Sequence, residues 1–371
     1  MSIFFDARFI TVGHTDGISR FSVNLYRELQ KLMPLTAIVS SKEQLSELPA
    51  DSPHVFESPA DSIRELGFAK RMNARGAKVI FSPMQTTGGL GRKFKLVLTI
   101  HDLIYYTHRT PPRRFNAAVR LAWRLYHLSF VPQRLLLRKA DALVTVSDTS
   151  KRAIENARLF AGLVHVIPNA VDDQLAARSD RGKRNSASAS SSGTGDPTNG
   201  QPIKVVYTGS FMPYKDVETL IRGCSKAFND VELNLVSPID SARKAQLERL
   251  AVESQTSVIF HNGLTDLDYA QLLDESSLFA TASLAEGFCI PVLEAFARGV
   301  PVVCSDLEVL REVAAEGAVF FEPGNPQSLG RAIAQAHKTR AELSERALER
   351  TKDFSWAESA RQLKRVIEGL L

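Results

Sequence analysis

The order of apolar and amphipathic segments is the feature that most restricts how this chain folds. Continuous, β-branched runs predict buried strands: "AKVIFSP", "KLVLTIHD", "ALVTVS" and "VHVIP" in the first half, and "IKVVYTGS", "VELNLVS", "SVIFHNG", "SLFATAS", "PVVCSD" and "AVFFEPG" in the second. Segments with helical spacing separate them, among them "GISRFSVNLYRELQKL" and "IPVLEAFARG". Such alternation predicts an α/β protein with a helix-covered parallel sheet in each half and ligands at the carboxyl ends of the strands.

The length and one polar segment predict how the chain divides. With 371 residues, the chain exceeds the size at which a single core usually stops growing. Residues 178–202 contain nothing more apolar than Ala and cannot offset the entropy cost of becoming ordered. We therefore expect an N-terminal domain over 1–172, a Ser-rich disordered linker over 173–202, a second domain over 203–352 and a C-terminal helix over 353–371.

The composition is that of an ordinary globular protein, with 44% hydrophobic and 23% charged residues. Cys224, Cys289 and Cys304 are too few for a disulfide framework or a zinc cluster. The start "MSIFFDARFI" lacks the pattern of a signal peptide, and no apolar run reaches the about 18 residues typical of a membrane-spanning helix. These features predict a cytoplasmic protein.

Residues 91–140 form a local basic segment with 11 Lys or Arg residues and one acid, Asp102. A positive field of this kind suits anionic substrates, lipid headgroups or nucleic acid. Arg120 and Arg124 recur at helical spacing beside Trp123 and several leucines. Two interpretations stay open: a helix with a solvated basic face, and peripheral membrane contact through residues 91–140.

Three loops between strands and helices carry candidate site residues. Gly209 ends a strand and Lys215 follows it, so the backbone can approach a ligand closely while the lysine reaches a phosphate. Gly17 opens a helix after the first strand, and His101 ends another strand, where it can donate to a substrate oxygen or transfer a proton. Taken singly, each pattern also fits a structural turn or a structural histidine.

The stretch "SLAEGFCIPVLEAFARG" contains two carboxylates beside an apolar run. Pro291 is predicted as the first residue of a helix, which places Glu294 in its first turn, where the dipole favours a carboxylate or a phosphate. Glu286 falls in the loop before that helix. Simple capping explains Glu294, but it does not explain the Gly-Phe pair that follows Glu286.

Together these segments resemble one family. In "EGFCIPVLEAFARGVPVV" seven residues separate Glu286 from Glu294, which is similar to the signature of the retaining glycosyltransferases of family four. "GSFMPYKD", "TIHDLIYY", "VIPNAVD" and "FEPGNPQSL" extend the resemblance over nearly the whole chain except the Ser-rich segment. The resemblance implies the GT-B fold: two Rossmann-like domains whose parallel sheets face each other across a cleft, with the C-terminal helix crossing back to the N-terminal domain.

The resemblance also implies roles. A nucleotide-sugar donor binds the C-terminal domain and an acceptor the N-terminal one, with His101, Glu286 and Lys215 as the catalytic residues. Glu294 holds the ribose, Glu286 the sugar, Lys215 the diphosphate, while His101 lies beside the transferred sugar and Gly17 lets a loop close over the phosphate. The remaining donor-binding positions are Gly209, Ser210, Gly287, Phe288, Cys289 and Ile290. Neither a metal nor another cofactor is implied, because a lysine and a helix N-terminus stabilise the leaving diphosphate.

Two positions depart from the family pattern. Many members have Arg where this chain has Ser210, so the phosphate loop lacks one positive charge. Many members have Gly where this chain has Cys289, and two consequences stay open: the side chain narrows the sugar pocket, or it packs under the loop.

The expected function is transfer of a hexose, by resemblance mannose from GDP-mannose, to a glycan or lipid-linked acceptor in cell-envelope or polysaccharide biosynthesis, without nucleic acid as a partner. A peripheral location at the inner face of the cell membrane fits such an acceptor. UDP-sugar donors, a GT-B epimerase and a non-catalytic basic protein that binds membrane or nucleic acid stay open.

Overall fold

The computed structural model describes residues 2–13, 16–111, 116–176 and 202–371. The chain divides into two compact units: unit 1 is Met1–Asn169 with Ser355–Leu371, and unit 2 is Ala170–Phe354. Our domain boundaries at 172, 202 and 352 stay predictions. Most of the expected linker, residues 177–201, lies outside the described residues.

The first part of that expected linker contains a short helix. Residues Asp173–Ala176 form a short helix in unit 2. Leu175 is buried there, and its carbonyl accepts a hydrogen bond from Nη1 of Arg298 at 2.7 Å. One apolar side chain and one buried guanidinium therefore hold the segment in place.

Unit 1 is built on a parallel sheet. Its described strands are β1 (Ile3–Asp6), β2 (Thr36–Val39), β3 (His54–Phe56), β4 (Val79–Ser82), β5 (Lys95–Thr99), β6 (Ala142–Thr145) and β7 (Val164–Val166). They lie in the order β3-β2-β1-β4-β5-β6-β7. This is a doubly wound order, and the direction of winding reverses between β1 and β4.

Helices cover that sheet. The described helices of unit 1 are α1 (Gly17–Leu29), α2 (Phe68–Ala74), α3 (Ile104–Thr107), α4 (Ala117–Tyr126), α5 (Val131–Leu137), α6 (Asp148–Asn156) and α15 (Trp356–Glu368). The C-terminal α15 packs on α1, where the ring of Trp356 meets that of Phe21 at 6.0 Å. The hydroxyl of Ser359 also donates to the carbonyl of Pro168 at 2.7 Å. A buried apolar face thus fixes the last helix to unit 1.

Unit 2 repeats the architecture. Its strands are β8 (Ile203–Thr208), β9 (Val231–Val236), β10 (Ser257–His261), β11 (Leu278–Thr281), β12 (Val302–Ser305) and β13 (Ala318–Phe321). Its described helices are α7 (Asp173–Ala176), α8 (Val217–Ala227), α9 (Ser241–Glu253), α10 (Asp266–Asp274), α11 (Ile290–Ala297), α12 (Glu308–Ala314), α13 (Pro326–Lys338) and α14 (Arg340–Thr351). The parallel strand order is β10-β9-β8-β11-β12-β13, with its reversal between β8 and β11.

The predicted fold class is confirmed: each unit has a parallel, Rossmann-like sheet with helices between its strands. All ten strands quoted above form, and so does the first strand, expected before Gly17, which is β1. Two strands were missed, β2 and β3, which are short, and β3 lies at the edge of its sheet with two of its three residues exposed. A three-residue edge strand buries too little apolar surface to leave a pattern in the sequence.

Candidate functional site

The candidate site of unit 2 lies where the winding of its sheet reverses. Strands β8 and β11 are neighbours there, with Leu278 opposite Val205 in the parallel register. The loops that follow them therefore emerge side by side at the carboxyl edge, where ligands of such sheets bind. The amide of Leu284 donates to the carbonyl of Tyr214 at 2.7 Å and joins the two loops.

An ion pair links these loops. Nζ of Lys215, after β8, lies 2.6 Å from Oε1 of Glu286, after β11. Their side chains are only 16% and 6% exposed. The hydroxyl of Ser283 donates to the same Oε1 at 2.6 Å. One carboxylate oxygen thus receives two donors, and both glutamate and lysine are held in fixed positions.

The electrostatics favour a charged lysine. Burial by itself would lower the pKa of Lys215, but the carboxylate of Glu286 raises that pKa overall. The ammonium also lies 5.5 Å from the centre of the Tyr214 ring, a favourable cation–π distance. A positive charge is therefore present at the edge of the sheet at neutral pH.

The turn after β8 requires glycine. Gly209 has a φ of +149°, and a Cβ there would lie 2.8 Å from the hydroxyl of Tyr207. That hydroxyl donates to the carbonyl of Ser210 at 2.8 Å, and burial raises the pKa of Tyr207. The amide of Gly209 donates to Oγ of Ser237 at 3.2 Å. A neutral tyrosine thus supports the loop from below, while Ser210 itself is exposed.

The helix after β11 begins one residue earlier than predicted. Cys289 is its N-cap with a φ of +74°, so α11 starts at Ile290 and Pro291 is the second helical residue. Glu294 is consequently the fifth residue of the helix, outside the first turn, and is buried at 3% exposure. The prediction that the helix dipole explains Glu294 is therefore wrong. Burial raises the pKa of the Cys289 thiol, which keeps it protonated.

The glycine and phenylalanine between Glu286 and Cys289 have packing roles. Gly287 is buried, and Phe288 is 4% exposed with its ring edge-on to that of Phe354 at 5.6 Å. The guanidinium of Arg350 lies 4.8 Å from the Phe354 ring. These contacts anchor the middle of the loop that carries Glu286.

His101 and Gly17 lie in unit 1. Nε2 of His101, just after β5, lies 2.9 Å from the carbonyl of Pro83, and Phe21 packs edge-on to its ring at 5.0 Å. Burial lowers the pKa of His101, so the ring is neutral at pH 7. A carbonyl only accepts, so Nε2 carries the proton and Nδ1 is an acceptor. Gly17 opens α1 beside open space.

The structure thus brings Gly209, Ser210, Lys215, Glu286 and the loop 287–290 to one edge of unit 2. Sequence reasoning missed three residues that hold them: Ser283, Tyr207 and Tyr214. Ser283 precedes Glu286 by three residues, and both tyrosines stand within "VVYTGSFMPYKD". Their identity alone does not say that they bond to this loop, because tyrosines next to strands usually serve as core residues.

The basic segment predicted over residues 91–140 also exposes many apolar side chains. No residue of α4 is buried among those described, although most of them are apolar. The exposed apolar side chains of α4, α5 and the turn between them are Val119 (44%), Leu121 (58%), Leu125 (58%), Leu128 (59%), Val131 (54%) and Leu135 (53%). We call this set the α4–α5 surface. Trp123 does not belong to it, because its ring lies 4.0 Å from that of His127 and 5.0 Å from that of Tyr105.

Within the described ranges, every helix is too short or too polar to span a lipid bilayer.

Solved structures share the whole architecture. The TM-score is 0.74 with sucrose-phosphate synthase from Thermosynechococcus elongatus, at 18% identity over 100% of this chain and 98% of that one. It is 0.71 with Anabaena Alr3699/HepE in complex with UDP and glucose, at 19% identity over 99% of both chains. At these identities the likeness concerns the fold, which is that of GT-B proteins.

The sequence comparisons give the family. Residues 15–175 match "Glycosyltransferase Family 4", and residues 195–354 match "Glycosyl transferases group 1". This chain belongs to glycosyltransferase family four.

Curated relatives include mannosyltransferases. The MMP alpha-(1->4)-mannosyltransferase of Mycolicibacterium hassiacum is 29% identical over 74% of this chain and 65% of that protein. The O-antigen chain mannosyltransferase B of Escherichia coli is 26% identical over 71% and 67%. The serotype-specific mannosyltransferase WbdA of Escherichia coli is 34% identical over a matched segment that covers 40% of this chain and only 19% of WbdA.

Proposed function

We propose that this protein is a retaining glycosyltransferase that transfers mannose from GDP-mannose to a glycan or lipid-linked acceptor in cell-envelope or polysaccharide biosynthesis. The observation that carries the proposal is the Lys215–Glu286 pair at the reversal point of the unit 2 sheet. The choice of mannose is supported by the names of the sequence relatives. A UDP-sugar is the second candidate donor, because HepE, which shares the fold, binds UDP.

In this proposal, the bound donor replaces the Lys215–Glu286 ion pair with new contacts to each residue. We propose that its diphosphate takes over the ammonium of Lys215, which neutralises charge as the nucleotide leaves. Both observed hydrogen bonds to Glu286 go to Oε1, so Oε2 faces a sugar hydroxyl in this proposal. The backbone of residues 287–290 and the N-terminus of α11 add further donors. With this cationic site, neither a metal ion nor another cofactor is needed for departure of the diphosphate.

The remaining predicted residues receive roles in the same proposal. Glu294 binds the ribose hydroxyls. Nδ1 of His101 accepts a hydrogen bond from a hydroxyl of the transferred sugar, since its other nitrogen donates to the Pro83 carbonyl. Gly17 leaves space for a phosphate at the start of α1. Retention follows if the leaving phosphate removes the proton of an acceptor that attacks from the same face of the sugar.

The α4–α5 surface provides a place for a lipid-linked acceptor. Leu121 and Leu125 follow i, i+4 spacing on α4, with Arg120 and Arg124 on the adjacent stripe, and Leu128 lies in the turn after the helix. All three leucines are more than half exposed. Exposed leucines beside arginines are typical of helices that lie in the interface of an anionic bilayer. We propose peripheral membrane contact through this part of residues 91–140.

Nucleotide binding and transfer test the proposal. GDP is expected to raise the melting temperature more than UDP or ADP at equal concentration, because a ligand of the native state stabilises it by mass action.

Glu286→Gln is expected to lower mannose transfer from GDP-mannose at least a hundredfold, a loss equivalent to about 3 kcal/mol of transition-state stabilisation. Glu253→Gln, at an exposed site at the end of α9, is the matched control and should transfer at the wild-type rate.

The outcomes separate the candidates. A larger shift with UDP would replace the donor and keep the enzyme class. No shift with any of the three nucleotides, together with no transfer by the wild type, would favour a non-catalytic basic protein. Unchanged turnover in Glu286→Gln would contradict the catalytic role of that residue.

A further inference from the structure

A separate cavity lies in unit 1, lined by none of the residues assigned above. Its volume is about 550 Å³. Ser40, which follows β2, and Glu57, which follows β3, line it, so it opens at the carboxyl edge of the sheet. Ligands of parallel sheets bind at this edge, and the volume falls in the range typical of small-molecule sites.

The lining of this cavity is cationic. Three arginines, Arg64, Arg71 and Arg75, share it with one acid, Glu57. The Glu57 side chain is 2% exposed and pairs with Nε of Arg71 at 2.7 Å and with Nη2 of Arg75 at 3.5 Å. One carboxylate balances one guanidinium, and the lining therefore keeps two net positive charges.

The three arginines are not equivalent. Arg71 is fixed on both sides, because its Nη1 and Nη2 also donate to the carbonyl of Arg64 at 3.2 Å each. Within the described residues, the Arg75 guanidinium makes one long contact, with Glu57, and the Arg75 side chain is 41% exposed. Arg64 lies on the exposed rim. Arg71 thus supports the cavity, while Arg64 and Arg75 can turn their guanidinium groups toward a ligand.

The other lining groups suit a sugar ring. Phe56 is 45% exposed and has an apolar ring, and three serines, Ser40, Ser58 and Ser62, also line the cavity. An aromatic ring packs against the apolar face of a sugar while hydroxyls exchange hydrogen bonds with its own. Guanidinium groups bind a carboxylate or phosphate in a bidentate manner.

We infer that this cavity binds a saccharide unit that carries a carboxylate or a phosphate. Its assignment as a unit of the acceptor chain rests on the proposed function. The binding itself does not, because it involves only residues of unit 1.

Calorimetric titration of the full-length protein tests the inference with four probes: D-glucuronate, D-glucose 6-phosphate, D-glucose and inorganic phosphate. At least one acidic sugar is expected to bind at least tenfold more tightly than glucose, which lacks the charge, and than inorganic phosphate, which lacks the ring. If only one of the two acidic sugars binds, that result identifies the acidic group.

Variants locate the binding. Arg64→Gln/Arg75→Gln is expected to weaken the acidic sugar at least tenfold, since both proposed anion contacts are removed. Lys70→Gln is the matched control: it removes a charge from an exposed position on α2, beside Arg71 but outside the lining. It should change the affinity less than twofold. Glu286→Gln should leave this binding intact even where transfer is lost, which separates this inference from the proposed function.

Three results would overturn the inference. The first is that neither acidic sugar binds the wild-type protein. The second is that inorganic phosphate binds as tightly as the sugars, which would show an adventitious ion only. The third is that Lys70→Gln weakens binding as much as the double variant does, which would show a general effect of charge.

Discussion

At the scale of single residues, Lys215 and Glu286 act as one unit. Each is largely buried and each is the charge partner of the other. A buried charge that loses its partner costs far more than the pair contributes, whereas removal of both charges together costs little. A functional site built from such a pair carries this cost because the ligand needs the charges.

We therefore predict strong coupling between the two positions. Lys215→Met should lower the free energy of unfolding by about 3 kcal/mol, because the Glu286 carboxylate is left without its cation. Lys215→Met/Glu286→Gln should recover most of that loss and still fail to transfer sugar. Urea unfolding of the wild type, both single variants and the double variant gives the coupling energy. Additive losses would show that the ion pair does not form in solution.

Cys289 is the second residue with a direct consequence. Its φ of +74° lies in the left-handed region, which costs a non-glycine residue roughly 1–2 kcal/mol. This conformation gives a physical reason why glycine suits the position.

The strain at Cys289 predicts an inverted order of stability between two variants. Glycine usually destabilises a fixed backbone position by about 0.5–1 kcal/mol relative to alanine. Here Cys289→Gly should be at least as stable as Cys289→Ala, because the left-handed backbone penalises only the alanine. Thermal unfolding of both variants measures the difference. A more stable Cys289→Ala would contradict the left-handed N-cap.

At the scale of elements, continuous β-branched runs were enough to predict ten strands, because fully buried parallel strands leave no room for polar residues. The sequence also predicted which loops carry Lys215 and Glu286. It did not predict the bond between them, since neighbouring loops meet only through the order of the strands. The start of α11 was misplaced because the backbone of Cys289, rather than Pro291, determines it.

The helices α8 and α13 contact each other closely through two glycines. A Cβ on Gly223 would lie 2.5 Å from Cδ2 of the buried Leu329, and one on Gly330 would lie 2.7 Å from Cβ and 2.9 Å from the carbonyl carbon of Lys226. Distances this short force neighbouring atoms to move, and at Gly330 these include the backbone of Lys226.

Substitution at this contact should destabilise unit 2. Gly330→Ala is expected to lower the free energy of unfolding by about 1–3 kcal/mol, in spite of the better helix propensity of alanine. Gly369→Ala, at the end of α15, is the control, because its Cβ meets its neighbours at ordinary distances of 3.4 Å and 3.7 Å. Denaturant unfolding compares the two, and equal stabilities would rule out the close contact.

At the scale of the whole molecule, the distribution of charge says more than its sum. The formal net charge is +5, but residues 91–140 contribute 11 basic side chains and one acid. The exposed leucines of the α4–α5 surface lie in that same segment. Other exposed apolar residues, such as Val252 on α9 and Leu267 on the acidic α10, at 80% each, lie in unit 2. Charge and apolar exposure thus coincide in this segment of unit 1, and binding to an anionic bilayer requires both.

This coincidence predicts binding to anionic vesicles. The wild type should sediment with vesicles that contain phosphatidylglycerol and much less with pure phosphatidylcholine, since each basic residue near an anionic surface contributes about 1 kcal/mol. Leu121→Ser/Leu125→Ser/Leu128→Ser should lower the partition coefficient between vesicles and water at least tenfold. The physical reason is that full burial of each leucine contributes about 1.5–3 kcal/mol.

Val252→Ser/Leu267→Ser should bind the vesicles like the wild type. High salt should weaken the attraction of the arginines without abolishing the contribution of the leucines, because screening acts on charge alone. If the triple variant binds as well as the wild type, then charge alone attracts the membrane and the exposed leucines of α4 serve another contact.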